Sequence, residues 1–508
     1  MVKTWIVMLC IILTGLLFGS AERAIDKIQE ARIAETAREM VVSDDWLVPH
    51  YNGELRLQKP PLTYWLVALS YKIFGVSEFS ARLPSMLFGL LSACLLFIWA
   101  KSAFNLNIAV NIVLVFTTSF LSLRYFRSGE ADATLIFFVS LASFAGFKLF
   151  EVNNMVTKNK KLIYLLMLAL GLGFLTKGPA AVAIPLLSIF IYAYLSKQLF
   201  TLKALISPIG LAIFILTAFA WYAWILLMMP DIAQHFFTHQ VDETFITGTH
   251  KQPIYFYLAH ALEYFAPWSF LLIPAGIWLY QQQSLPKLIH FSLIWLGVVF
   301  VLLTLTVNKQ TQYALLFLPP IAIIVGYYLE VASAKFYQFN RIIFWLLCVV
   351  VLAMVVIGLR KQGIASVLAM PNALVWFMLL ILPLLLKKLF QITTPKTPVL
   401  MAAALATFAY LFAEQFISKD AEKDDIKTLM QVASIKPMLY QAMPGDGAVS
   451  FYAQRPIKPL DEKQIQQLLN TNTALWLMSK YKPQLPSNEM IIEKQVGHWT
   501  LWKLTPQP

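Results

Sequence analysis

Long apolar runs separated by short polar breaks dominate the chain, and each run near 20 residues reads as a membrane-crossing helix. The candidates are Thr4–Gly19, Leu83–Ala100, Ile108–Tyr125, Ala133–Phe150, Leu162–Leu175, Pro179–Leu195 and Ala204–Met228. They continue with Ala266–Tyr280, Ile289–Val307, Tyr313–Leu329, Ile342–Leu359, Ala373–Leu386 and Leu400–Ile417. The pattern therefore predicts an all-α polytopic membrane protein with about thirteen transmembrane helices. Leu62–Phe74 is apolar but short, so it is expected to be re-entrant or interfacial. The first run follows a short basic start and is read as a retained helix rather than a cleaved signal peptide.

Three stretches break this pattern. Residues 21–61 mix acids and bases at helical spacing (Glu22, Asp26, Glu30, then Glu35 and Glu39 with Arg32 and Arg38), while Ile33, Ala37, Met40 and Val41 form a partial apolar stripe. That pattern predicts an amphipathic juxtamembrane helix with one face in the headgroups and the other in water. It ends near Ser43-Asp44-Asp45, and Pro60-Pro61 forbid a regular helix beyond. Residues 229–265 form a second long loop rich in His, acid and aromatic residues. From residue 418 no run is long enough to span, so the chain divides into a membrane domain (1–417) and a small α/β domain (418–508). In that domain Asp425–Ala442 reads as helix, Ala448–Ala453 and Ala474–Lys480 as strands, and Met490–Leu504 as a hairpin.

Composition narrows the class. With 59% hydrophobic and 13% charged residues, a soluble globule is excluded. The net charge of +13 belongs to loops facing anionic lipid, and no soluble basic face with aromatics suggests nucleic-acid binding. Cys10, Cys94 and Cys348 all lie in apolar runs and form no disulfide or thiolate framework. Lys3, Lys101, Lys158, Lys160, Lys161, Lys197, Lys203, Lys287, Lys335, Arg341, Lys387, Lys388 and Lys396 fall on one side, which is therefore cytoplasmic. The opening loop is then external, and its bases violate the rule. We read that violation as a demand for positive charge beside a phosphate.

Several external residues carry candidate chemistry. Glu30 is a carboxylate able to act as general base, though on a surface helix it can equally be solvated. Lys59, in QKPP, is a rigidly presented ammonium suited to phosphate. Asp132 opens a span in RSGEADATLIFF, close to Arg127, and is either a helix cap or an active-site acid. Lys177, in the FLTKGP turn, Arg127 and Lys309 add further external cations and are expected with Lys59 to bind the substrate phosphate. His235 and His239 share one helical face and offer a site for a divalent metal, without the HExxH pattern of a zinc hydrolase. Cations from separate loops with carboxylates between them suit transfer from a lipid phosphate. A transporter would place ionisable groups inside the spans, which here are nearly free of them.

The elements EARIAETAREM, DDWLVPHYNGELRLQKPP, ARLPS, RSGEADATLIFF, FLTKGP, QPIYFYLAHALEYFAPWS and VNKQTQYALLFLPP occur in this order. As a set they resemble the bacterial branch of the protein O-mannosyltransferase superfamily, closest to the lipid A aminoarabinose transferases. The resemblance implies a GT-C membrane fold in the bacterial inner membrane, with an active site facing the periplasm. It also implies inverting transfer of a sugar from a polyprenyl-phosphate donor to a lipid or glycan acceptor. Under it, Glu30 matches the second acid of the family's Asp-Glu pair, Lys59 the lysine before the double proline, Asp132 the acid of the second loop and Lys177 the lysine of the KGP turn. Two positions depart from that pattern: the first acid of the pair is Gln29, and the residue before Lys59, often acidic, is Gln58. Either Glu30 or Asp132 is then the expected base. The alternatives are a protein O-glycosyltransferase, a lipid-linked sugar flippase, or an inactive relative serving as a scaffold.

Overall fold

The computed structural model describes residues 2–25, 28–57, 59–151, 159–230, 251–332, 397–416, 421–443, 445–470, 474–485 and 489–505, with a few positions between 349 and 360. The predicted spans Ile342–Leu359 and Ala373–Leu386 fall wholly or largely outside these residues. The other predicted spans fall on helical segments, although Ile108–Tyr125 is two helices and Ala266–Tyr280 is a 3₁₀ turn followed by a nine-residue helix.

The chain opens with α1 (Val2–Leu17), α2 (Ile28–Ser43), a small hairpin of β1 (His50–Tyr51) and β2 (Glu54–Leu55), and α3 (Leu62–Phe74). Next come α4 (Glu78–Ala103), α5 (Leu106–Thr118), α6 (Phe120–Tyr125), α7 (Asp132–Glu151), α8 (Lys160–Lys177), α9 (Ala180–Leu195) and α10 (Pro208–Met228). The membrane part continues with α11 (Leu272–Tyr280), α12 (Lys287–Leu305), α13 (Leu318–Val331) and α14 (Thr397–Phe416). Five helical stretches are long and apolar enough to cross a bilayer, at 78–103, 132–151, 208–228, 287–305 and 311–331, and shorter apolar helices accompany them. On α10, Ile215, Leu216 and Leu227 are exposed, which is affordable only against lipid.

Local chemistry sets the ends of these helices. Ser77 caps α4 in a capping box with Ser80, and Asn105 caps α5 by accepting from the amides of Asn107 and Ile108 at 2.9 and 3.0 Å. The predicted span Ile108–Tyr125 is broken into two helices at Ser119, whose backbone is extended. Thr117, Thr118 and Ser119 turn their hydroxyls back onto carbonyls four residues earlier, a pattern that bends helices. The amide freed at Phe120 donates to Ala266 O at 2.9 Å, so the break seats the loop before α11. A Cβ on Gly326 would lie 2.6 Å from the Ile112 amide nitrogen, so only glycine lets α13 pack this close to α5.

The C-terminal unit is a five-stranded mixed sheet in the order β4-β3-β5-β7-β6, built from β3 (Leu439–Ala442), β4 (Pro459–Leu460), β5 (Leu475–Ser479), β6 (Glu489–Val496) and β7 (Trp499–Thr505). Strands β3, β4 and β5 run parallel, and β7 is antiparallel to β5 and β6. Helices α15 (Ala421–Ala433), α16 (Gly447–Ala453) and α17 (Glu462–Leu469) complete the unit. The closing hairpin and β5 fall where the pattern put them. Ala448–Ala453 is helix, not strand: Asp446 caps it by accepting from the Ala448 amide at 3.0 Å, and a short apolar run cannot distinguish the two. Asp425–Ala442 is likewise split, its last residues forming β3.

Helix α2 forms where expected, but its expected water face does not exist. Glu30, Glu35, Arg38 and Glu39 are buried along with Ala31, Ala34, Ala37 and Met40. One side of α2 lies on α3 and the other is covered by α16, within a hydrophobic core that includes Ile426, Leu429, Val449 and Phe451. Glu30 and Glu35 are tolerated there because each is held by an arginine, and Glu39 because it accepts the Gly53 amide at 3.1 Å.

Candidate active site at the external end

Residues from separate loops meet at one end of the bundle. Asp132 Oδ1 at the start of α7 lies 2.6 Å from Lys177 Nζ at the end of α8. The ammonium also sits 4.9 Å from the centre of the Tyr313 ring, in the 3₁₀ turn Thr311–Phe317. Helix α8 stops there because Gly178 takes a φ of +86° and Pro179 follows it. That stop leaves the lysine at the helix rim, where its side chain is 15% exposed. Leu57 packs against Leu175, bringing the 55–61 loop and the half-buried Lys59 to the same end. Beside this pair, the Glu130 carboxylate accepts the Ser128 hydroxyl at 2.9 Å, Tyr264 Oη lies 3.3 Å from Thr311 Oγ1, and the Tyr257 hydroxyl donates to Gln310 O. Lys309 is buried and its ammonium donates to Thr306 O; burial pushes that ammonium below its ordinary range.

Two other predicted residues are elsewhere engaged. Glu30 is fully buried: its Oε1 accepts from Arg82 Nε at 2.7 Å and from the Gly129 amide at 2.9 Å, and its Oε2 accepts from Arg82 Nη2 at 3.2 Å. Burial alone would raise its pKa, but the Arg82 and Arg23 charges and the Arg82 and Gly129 hydrogen bonds outweigh that and hold it well below the carboxylate range. A carboxylate so stabilised is a poor proton acceptor. We therefore correct the expectation that Glu30 is the base: it ties the opening loop to the second loop. Arg127 is also corrected as a phosphate ligand. It is buried, and its guanidinium donates to the Glu414 carboxylate on α14 and to Phe18 O. Arg23 holds the other Glu414 oxygen at 2.6 Å.

Arg82 and Glu414 are not among the expected site residues, although Glu414 is an acid inside the Leu400–Ile417 run and Arg82 borders the Leu83–Ala100 run. Such residues are rare enough in a span to be read as anchors. His235 and His239 lie outside the described residues. The expected metal site goes with them, and among the described residues no three His, Cys, Asp or Glu side chains converge.

Comparison with known proteins identifies the family and the fold. Residues 58–224 match the family model for dolichyl-phosphate-mannose-protein mannosyltransferase. The chain is 31% identical over 325 residues to an uncharacterised protein of Aquifex aeolicus (strain VF5), covering 63% of this chain and 72% of that one. The chain belongs to the protein O-mannosyltransferase superfamily. A further relative is undecaprenyl phosphate-alpha-4-amino-4-deoxy-L-arabinose arabinosyl transferase 1 of Proteus mirabilis (strain HI4320), 29% identical over 337 residues. That match spans 64% of this chain and 59% of the Proteus enzyme. The crystal structure of ArnT from Cupriavidus metallidurans bound to undecaprenyl phosphate superposes with a TM-score of 0.82 at 18% identity, over 99% of this chain and 97% of ArnT. This chain thus has the GT-C fold of the superfamily, and the charged rim just described lies where its loops meet.

Proposed function

We propose that the protein is an inverting glycosyltransferase of the inner membrane that moves a sugar from a polyprenyl-phosphate donor to a lipid A-like acceptor at the periplasmic face. The observation that carries this reading is the Asp132–Lys177 pair, which seats a carboxylate and an ammonium 2.6 Å apart where three loops meet. In the reaction an acceptor oxygen attacks the anomeric carbon from the face opposite the phosphate. The bond from that carbon to the phosphate oxygen breaks, and its electron pair leaves with the carrier phosphate. Lys177 and Lys59 neutralise the developing charge on that phosphate. Asp132 orients the Lys177 ammonium and takes the proton of a hydroxyl acceptor. Each of these steps uses groups of the chain itself.

The test reconstitutes the full chain in liposomes with a labelled undecaprenyl-phosphate sugar on one side and lipid A present. Label entering a new covalent product supports transfer. Label crossing unchanged would make the protein a flippase, and no change with a folded protein would make it a scaffold.

A further inference from the structure

Among the described residues four arginines are less than a tenth exposed: Arg38, Arg56, Arg82 and Arg127. Three of them hold a carboxylate each, namely Glu35, Glu414 and Glu30 for Arg38, Arg127 and Arg82. Arg56 differs. It is 8% exposed, yet among the described residues no carboxylate lies within ion-pair range of it. Its Nε donates to the Tyr64 hydroxyl at 3.1 Å, and its guanidinium carbon stands 5.3 Å from the centre of the Tyr51 ring. The two terminal nitrogens donate to no described protein group. They are also absent from the sealed, partnerless atoms, so they open onto accessible space. A guanidinium is never neutral at physiological pH, and one this little exposed is held more favourably with a counter-charge than without. Such a group persists when an anion arrives to complete it.

The direction of the Arg56 side chain separates it from the pair at Lys177. Arg56 follows β2, and its amide donates to Pro49 O at 2.8 Å, so the backbone continues the hairpin. In extended chain, successive side chains point to opposite sides. Leu57 faces Leu175 and Trp221, beside Lys177. Arg56 faces the other way, between Tyr51 on the hairpin and Tyr64 on α3. Tyr51 in turn abuts Gly447 of the C-terminal unit, where an added Cβ would lie 2.4 Å from its hydroxyl. Arg32, half-buried on α2, lies near enough for its charge to act on the Tyr51 phenol, as does that of Arg56. The two arginines and two tyrosines thus line a recess between the opening loop and the C-terminal unit; the carboxylates that also act on Tyr51 are both engaged, Glu35 by Arg38 and Asp446 by the Ala448 amide.

We infer that Arg56, held by Tyr64 and Tyr51 and backed by Arg32, is a second oxyanion subsite, separate from the Asp132–Lys177 pair, that binds a phosphate or carboxylate carried by the acceptor. The inference rests on the proposed transferase function, because Lys59 and Lys177 already serve the donor phosphate. A planar guanidinium with both terminal nitrogens open matches two oxygens of one anion.

The test uses full-length protein in nanodiscs of phosphatidylcholine, comparing wild type with Arg56→Met and Arg56→Lys. Binding is titrated separately with undecaprenyl phosphate and with diphosphorylated and dephosphorylated lipid A. We expect Arg56→Met to weaken diphosphorylated lipid A at least tenfold, Arg56→Lys to recover part of that loss, and undecaprenyl phosphate to change less than twofold. Dephosphorylated lipid A should bind both forms alike. A loss confined to undecaprenyl phosphate would give the subsite to the donor, and unchanged binding of every ligand would make Arg56 structural; either overturns the inference. Should Arg56→Met fail to fold, Tyr64→Phe removes the hydroxyl that orients the guanidinium and must reproduce the selective loss. Because binding is read without turnover, failure here is distinct from failure of sugar transfer in liposomes.

Discussion

Two carboxylates that look alike in sequence have opposite fates. Asp132 meets a lysine at a rim, whereas Glu30 is sealed under Arg82. Asp132 and Lys177 act as one unit, so their removal should not add. We expect Asp132→Asn and Lys177→Met each to lower transfer by about 10²-fold or more, and the double variant to be nearly as active as the worse single. Initial rates with labelled donor check this, and additive losses would mean that the two residues serve separate steps. Glu30→Gln should instead lower stability while leaving the Asp132–Lys177 pair in place. It leaves Arg82 buried with no counter-charge, at a cost of about 3–5 kcal/mol. The pH dependence has a definite sign. The Glu30 pKa is depressed in the folded state, so its stabilisation is complete above the ordinary 4.5 and is lost as pH falls towards the folded value. Melting of wild type in detergent should therefore decline on acidification below about pH 4.5 more steeply than that of Glu30→Gln, whose midpoint should already be low.

Hydrophobic periodicity located the elements well where a run faced lipid or core on all sides, as for α4, α7 and α12. It misjudged them where tertiary partners decide. The charge pattern of α2 suggested a wet face, because sequence shows the charges of Glu35 and Arg38 but not the α16 that covers them. Ala448–Ala453 has no periodicity to choose helix over strand, and the Asp446 cap decided it. Helix contacts also impose limits that no hydropathy profile carries. Gly326 meets Ile112 backbone, whereas a Cβ on Gly146 would meet only the tip of Ile189, 2.1 Å from its Cδ1. A side chain can rotate away and a helix backbone cannot. Gly326→Ala should therefore destabilise the protein by about 1–3 kcal/mol through overpacking, and Gly146→Ala by clearly less. Thermal unfolding in nanodiscs separates them, and equal losses would show that α5 and α13 can part freely.

Across the whole molecule, the two ends of the bundle hold their charges differently. At one end Glu30–Arg82, Glu414 with Arg23 and Arg127, and Asp132–Lys177 pair residues that stand far apart in the chain. At the other, Lys101 and Lys287 are exposed, while Lys148 with Ser102 and Asn107 with Glu330 mark where helices meet. Paired charges at one face and exposed lysines at the other are what a positive-inside orientation requires when the site opens outward. The C-terminal unit sits on the paired end, covering α2, and Lys458 reaches Glu54 of the hairpin at 3.1 Å. Site and covering unit must therefore share one side of the membrane, which single-cysteine labelling can decide. Cysteines placed at Glu54 and Tyr481, both exposed, should react with a membrane-impermeant maleimide on intact spheroplasts. Cysteines at Lys101 and Lys287 should react only after the membrane is opened. If Tyr481 labelled from outside and Glu54 did not, the contact between hairpin and C-terminal unit would be impossible, and the site could not be assembled from the loops that form it here.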